Sequence, residues 1–271
     1  MTNIVITGCS TGIGLATAEY LDRKGIKVYP TAREQRDVNM LIELGFKDAM
    51  ILDVTKAEDI KSVIDRVLKI DGHIDIWFNN AGYGQVGAIE DLKVEFLREQ
   101  FETNVFGLHE ATKQIVAVMR KQGYGKIIQH SSVLGLTSLS ARGAYNASKY
   151  AVEGLTDTLR LELKGSDIYV SLLNTGPITS DFRKTAMRKL RENIDIEQSR
   201  FRDNYIKSLN AKKSKVPFNE GADSVAEVVY QITLSKRPKP RYYITKATYI
   251  LGYLKRILST NLLDRVLLRV G

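Results

Sequence analysis

The 271-residue chain has one cysteine, Cys9, three histidines and one tryptophan. A lone thiol forms no internal disulfide, so a reducing cytoplasm is the expected setting. One cysteine and three scattered histidines (His73, His109 and His130) make no recognisable metal-ligand pattern, and no metal is expected. No stretch of about 18 uninterrupted apolar residues occurs, so no membrane-spanning helix is expected. Met1-Thr2 is followed by "NIVITG" without a basic leader or a long apolar segment, and no secretory signal is expected. Internal repeats and low-complexity tracts are also missing. The formal net charge is +9, yet no recognisable nucleic-acid module accompanies it, so no nucleic-acid partner is expected.

What is present suffices for one large α/β domain: 44% of the residues are hydrophobic and 26% are charged. Apolar runs of strand length at 3–7, 27–32, 49–53, 74–79, 126–131 and 169–174 are rich in Val and Ile, and several are apolar on both faces, as buried parallel strands are. Helical periodicity lies between them, at 104–121 and 144–164, and again at 220–235. "RYYIT" at 241–245 supplies a further strand. The alternation predicts a single doubly wound, Rossmann-type parallel sheet of about seven strands with helices on both faces. Residues 176–219 break the rhythm as a long, basic, weakly patterned insertion, a length typical of a lid. Residues 236–271 hold nine Lys/Arg against one acidic residue, and the tail from 246 is amphipathic. The basicity thus belongs to the last third of the chain.

The first strand runs into "TGCSTGIG", residues 7–14. Gly8, Gly12 and Gly14 let the backbone turn sharply and let a pyrophosphate approach, and the helix that follows offers it free N–H groups. The second strand ends at Ala32-Arg33, where an acidic residue would favour NAD. An arginine there suits a 2′-phosphate and predicts NADP(H) over NAD(H). Asp53, ending the third apolar run, is the candidate for the adenine amine. In "YNASK" (145–149), Tyr145 and Lys149 stand four apart, on one face of a helix.

Together "TGCSTGIG", "DV" (53–54), "NNAG" (79–82), Asn104, "SS" (131–132) and "YNASK" are similar, in order and spacing, to the motifs of the short-chain dehydrogenase/reductase family. The resemblance covers about residues 3–182 by motif and extends to 245 by length. It implies a cofactor site made of Gly8, Ser10, Thr11, Gly12, Ile13, Gly14, Arg33, Asp53, Val54, Asn80, Ala81 and Gly82, with Tyr145, Lys149, Gly176, Ile178 and Ser180 at the nicotinamide end. It implies that Tyr145 exchanges the proton with a carbonyl or alcohol oxygen, that Ser132 hydrogen-bonds that oxygen, and that Lys149 holds the nicotinamide ribose. Asn104 would sustain a water-linked path to Lys149; the bland alternative is that it caps a helix starting there. Lys149 is also expected to lower the Tyr145 pKa, ordinarily about 10. The chain departs from the family's usual Pro-Gly at Thr175-Gly176 and keeps a hydroxyl at Ser180.

The resemblance further implies a substrate pocket lined by Tyr83, Val133, Leu134 and Phe182. The expected substrate is an apolar or lipid-like carbonyl or secondary alcohol, with room for an anionic end. The division implied is an SDR domain over 1–245, with a substrate insertion at about 178–219, and a basic helical tail over 246–271. Two fates are open for the tail: folding over the pocket, or lying on an anionic inner membrane surface. A homodimer or homotetramer with 104–121 and 144–164 at an interface is implied. The rival to an NADP(H)-dependent enzyme is a catalytically idle NADP(H)-binding regulator or scaffold on the same fold.

Overall fold

Isoleucine and valine at alternating positions explain the centre of the molecule. In the strand β1 (Asn3–Ile6), Ile4 and Ile6 face one layer and Val5 the other, and all four residues are buried. The computed structural model describes residues 1–210 and 217–270; residues 211–216 of the basic insertion, and residue 271 of the tail, lie outside them. The remaining strands are β2 (Lys27–Ala32), β3 (Met50–Ile51), β4 (Ile76–Asn79), β5 (Tyr124–Ser132), β6 (Asp167–Thr175) and β7 (Arg241–Ile244). They form one parallel sheet in the order β3-β2-β1-β4-β5-β6-β7. The helices are α1 (Gly12–Arg23), α2 (Gln35–Glu43), α3 (Ala57–Asp71), α4 (Val94–Phe101), α5 (Leu108–Gln122), α6 (Gly143–Glu162), α7 (Phe182–Asn193), α8 (Arg202–Asn210), α9 (Ala222–Leu234), α10 (Lys246–Ile257) and α11 (Thr260–Val270).

One core layer packs Ile4, Ile6, Ile76 and Phe78 against Leu21 of α1, Leu41 of α2 and Val225, Val229 and Ile232 of α9. The other packs Val5, Trp77, Ile127 and Val170 against Ile60, Ile64 and Val67 of α3 and Ala111, Ile115 and Met119 of α5. Burial on both faces is why the central strands carry no polar alternation. The strand order reverses between β1 and β4, and ligands of such sheets sit beyond the strand carboxyl ends at that point.

Three expectations need correction, and one open point gains an observation. The third strand pairs only over Met50–Ile51, not 49–53. Asp53 lies beyond it in a turn, where its Oδ1 accepts from the Thr55 N–H at 3.0 Å and the Thr55 hydroxyl at 2.7 Å. No helix begins at Asn104, because a π-helical turn over Glu102–Gly107 joins α4 to α5. The apparent disorder of pattern after β6 holds α7 and α8. Their signal is sparse: Ala186, Leu190 and Ile194, each four apart, are buried with Tyr205 against Val86 and Ala88. Finally, the tail forms two helices, and Leu251, Leu254 and Leu267 pack with Val133, Leu134, Leu139 and Tyr145. The inner face of the tail thus packs back on the residues around Tyr145.

Candidate active site

The glycine turn is built by close approach. Gly8 has φ +72°, and a Cβ there would lie 2.9 Å from Ala81 Cα. A Cβ on Gly14 would meet Gly8 O at 2.3 Å, so a side chain would force the turn away from β4. Asn80 fastens the same junction: its Nδ2 donates to Thr7 O at 2.9 Å and Gly8 O at 3.0 Å, and the Asn80 and Ala81 N–H groups both donate to Thr7 Oγ1. The first turn of α1 has no side-chain cap at Thr11 and no acidic residue. Its free N–H groups and positive dipole end fit a pyrophosphate. Ser10, Thr11 and Ile13 belong to this turn. Ser180, beyond β6, comes within 3.2 Å of a Cβ placed on Gly12, so the post-β6 segment walls the same cleft. That segment is pinned by the Gly176 N–H to Ile244 O (3.2 Å) and by a bridge from Ile178 to Glu220.

Arg33 stands exposed at the end of β2, with its Nε 3.3 Å from Glu34 Oε1. Burial pushes the Tyr83 phenol up to about 12, Glu99 adds to the rise, and the Arg33 charge opposes it. Asp53 has one carboxylate oxygen engaged by Thr55, and Val54 is buried beside it.

Asn104 is buried, and its side chain grips the backbone of Tyr83 twice: Oδ1 accepts from the N–H at 3.1 Å, and Nδ2 donates to the carbonyl at 3.0 Å. Nδ2 also donates to Ser148 Oγ at 3.1 Å, and Ser148 Oγ donates to Tyr145 O at 2.8 Å. Asn104 thus ties the loop after Gly82 to the helix that carries Tyr145. Ser132 ends β5; its hydroxyl accepts from the Leu134 N–H at 3.1 Å and donates to Thr175 O at 3.3 Å.

Tyr145 and Lys149 occupy successive turns of α6. The Lys149 ammonium lies 5.6 Å from the centroid of the Tyr145 ring, over its face, and donates to His130 O at 2.6 Å. This position corrects the expected pKa effect. Burial pushes the Tyr145 phenol up to about 12, and the groups that oppose the rise are the Ser132 hydroxyl and the Arg142 charge, not Lys149. Lys149 is itself pushed down to about 8 by burial, with the Glu153 carboxylate resisting. The phenol is held protonated at neutral pH. Phe182 packs edge-on against the Tyr145 ring at 5.3 Å between centroids. Tyr83, Leu134 and Phe182 therefore all adjoin the Tyr145–Asn104 assembly.

Three contributors were not assigned from the sequence. His130 bridges Asn80 Oδ1 (3.1 Å) and Thr175 Oγ1 (3.2 Å), and burial with the Lys149 charge lowers its pKa to about 3, leaving it neutral. Glu153 is buried and bonded by Ser131, Asn174 and Arg241. Arg142 immediately precedes α6. Glu153 had a signal, since 145, 149 and 153 continue one four-residue stripe; His130 and Arg142 had none. Among the described residues, no group of three or more His, Cys, Asp or Glu is placed to hold a metal, and no helix is long and apolar enough to cross a membrane.

A family model described as short chain dehydrogenase matches residues 2–191. The uncharacterized oxidoreductase YbbO of Escherichia coli K12 is 35% identical over 271 residues, covering 98% of this chain and 93% of that protein. A 3-ketodihydrosphingosine reductase of Bacteroides thetaiotaomicron is 34% identical over 206 residues, 76% of this chain and 74% of that one. A short chain dehydrogenase/reductase from Burkholderia phymatum, solved in complex with NAD, superposes with a TM-score of 0.73 at 25% identity, covering 94% of this chain and 92% of that one.

Proposed function

The chain belongs to the short-chain dehydrogenase family and is an oxidoreductase of that family, and on this premise we propose that it interconverts an apolar, lipid-like aldehyde or ketone and its alcohol with NADP(H). The observation that carries the reading is the buried, protonated Tyr145 phenol beside the Ser132 hydroxyl, with Lys149 one turn along. In reduction, the nicotinamide ring supplies the hydride when bound. Tyr145 delivers the proton to the carbonyl oxygen, and Ser132 hydrogen-bonds and orients that oxygen. Lys149 contributes positive charge below Tyr145 and a donor for the nicotinamide ribose. Asn104, through Ser148, fixes the α6 turn that presents them. In oxidation the same groups act in reverse, with Tyr145 taking the proton as its phenolate.

The glycine turn, with Asn80, Ala81 and Gly82, would hold the pyrophosphate side of the cofactor; Asp53 and Val54 the adenine side; Gly176, Ile178 and Ser180 the carboxamide. Arg33 supports NADP(H) over NAD(H), since it is the exposed cation at the end of β2. The lipid-like class is supported by the hydrocarbon wall of Leu134, Leu251 and Leu267, and by a relative named for a ketosphingoid base. The functional division we propose is a cofactor-binding domain over 1–245 with the substrate insertion at 178–219, covered by the tail from 246. Exposed Phe106, Leu155 and Leu161 on the helices at 102–122 and 143–162 suit a homodimer or homotetramer contact. The outer face of the tail, with Tyr253, Ile257 and Leu268 beside Lys255, Arg256 and Arg269, suits peripheral contact with the inner membrane surface of a cytoplasmic enzyme.

The test titrates wild type and Tyr145→Phe with NADPH and NADH by cofactor fluorescence, then assays reduction of long-chain aldehydes and ketones. The expected result is tighter NADPH binding, retained in the variant, with turnover lost by a factor on the order of a thousand. Near-normal turnover in Tyr145→Phe removes the phenol from the chemistry. Binding without wild-type turnover points to the idle regulator, and equal affinity for both cofactors refutes the role given to Arg33.

A further inference from the structure

Among the described residues, three that are not glycine have positive φ: Ala141, Phe218 and Thr245. Ala141 and Phe218 lie in turns, at φ 53° and 58°. Thr245 differs from both. It is β-branched and buried, and at φ 77° and ψ 147° it borders a region of backbone space that essentially only glycine enters. Such a conformation costs free energy and persists only where the surroundings enforce it. Thr245 stands between β7 and α10, where the chain leaves the sheet for the tail.

What enforces it lies at the end of β6. Gly176 donates its N–H to Ile244 O at 3.2 Å. A Cβ on Gly176 would fall on the Thr245 hydroxyl and within 2.9 Å of Thr248 Oγ1, so the two threonines fill the space that the glycine leaves. Thr248 is fully buried and donates its hydroxyl to the same Ile244 O at 2.7 Å. With that proton spent, the Thr248 oxygen is the acceptor for the Thr245 hydroxyl, 3.3 Å away. Rotating φ to the negative values that threonine prefers would swing the Thr245 hydroxyl off Gly176 or carry α10 out of place. Gly176 opens the segment that, with Ile178 and Ser180, is the proposed contact of the nicotinamide carboxamide. The helix α10 brings Leu251 and Leu254 to Tyr145. One strained residue therefore joins the cofactor segment to the wall around the phenol.

We propose that Thr245 is a positioning residue for the nicotinamide: its strained backbone sets its hydroxyl on Gly176, and the start of the tail thereby fixes the segment 176–180 that receives the carboxamide. The proposal rests on the oxidoreductase reading and adds a residue next to the tail to the cofactor site.

The test compares Thr245→Ser, Thr245→Ala and Thr245→Gly in the full chain, by melting temperature and by titration with NADPH and with adenosine 2′,5′-bisphosphate, the adenine half of that cofactor. Glycine alone relieves the strain, so Thr245→Gly should melt above Thr245→Ala, the reverse of the order at an ordinary position. The hydroxyl survives only in serine. Thr245→Ser should keep NADPH affinity within about twofold, whereas the alanine and glycine variants should both lose about fivefold or more. Bisphosphate affinity should hold in all three. An NADPH affinity that follows melting temperature, with glycine better than alanine, assigns Thr245 to the fold alone and overturns the proposal. Equal loss of both ligands, or NADPH binding unchanged in every variant, overturns it as well, and in each of these cases the oxidoreductase reading stands. Failure of wild type to bind NADPH overturns both.

Discussion

At the scale of single residues, the α6 stripe of Tyr145, Lys149 and Glu153 orders a neutral phenol, a cation and a carboxylate by burial and partner. Lys149 is pushed down to about 8 because its ammonium is desolvated, and Glu153 is the group that limits the fall. Glu153 is in turn held by Asn174 Nδ2 at 2.6 Å and by Arg241 and Ser131. Removing its charge in Glu153→Gln leaves Lys149 to desolvation alone, so the lysine should lose its proton at lower pH. Reduction that needs Lys149 charged declines as pH rises through that pKa. The alkaline limb of kcat is therefore expected near pH 8 in wild type and on the order of one unit lower in the variant. Measured pH profiles decide it. A lower melting temperature with an unmoved limb would make Glu153 only a clamp between α6 and β7.

At the scale of elements, the segment after β6 is a strap fastened at α8. Tyr205 of α8 donates its hydroxyl to Asp91 Oδ2 at 2.6 Å and accepts from the Ala88 N–H at 2.7 Å; the Ser199 hydroxyl meets the same carboxylate oxygen at 2.6 Å. At the near end, α7 sets Phe182 on Tyr145. Tyr205→Phe keeps the ring in its buried place among Ala186, Leu190 and Ile194 but leaves the Ala88 N–H without its acceptor, at a cost of about 1–3 kcal/mol. The loosened strap should raise KM for the carbonyl several-fold while NADPH affinity stays, and steady-state kinetics with a cofactor titration would show it. An unchanged KM would mean that the strap is held by packing alone. The central strands, the turn into α1 and the placing of Tyr145 and Lys149 on successive turns of α6 were legible in the sequence because buried parallel strands are apolar on both faces and the two residues stand four apart. The strap was not, because α7 and α8 bury only every fourth residue beneath a charged surface. Neither was the short extent of β3, whose two paired residues sit at the sheet edge with Ile51 exposed. The tail left two fates open, since its leucines suit either a pocket wall or a lipid surface, and the packing on Tyr145 accounts for its inner leucines alone.

At the scale of the whole molecule, the bonds that assemble the site also hold the sheet together, and His130 is where they meet. It sits on β5, and its ring reaches Asn80 after β4 and Thr175 on β6, while its carbonyl takes the Lys149 proton donor. The imidazole is neutral in the fold, with its pKa lowered from 6.5 to about 3 by burial and by the neighbouring Lys149 charge. The unfolded chain binds a proton at this residue near pH 6.5, whereas the folded chain binds it only near pH 3. Through that window the unfolded state holds more protons, so stability falls as pH falls. Each unit within the window is worth ~1.4 kcal/mol, which makes His130 responsible for about 2 kcal/mol between pH 6.5 and 5. Denaturant unfolding at pH 7 and pH 5 should show this loss in wild type. His130→Gln, which keeps a donor and an acceptor for Thr175 and Asn80, should lose correspondingly less between the two pH values, whatever its stability at pH 7. Because folded His130 is still neutral at pH 5, NADPH affinity of the folded wild type is expected to hold there while the stability of the fold has already fallen. Equal acid sensitivity in the variant would place the labile proton elsewhere and uncouple the site from the stability of the fold.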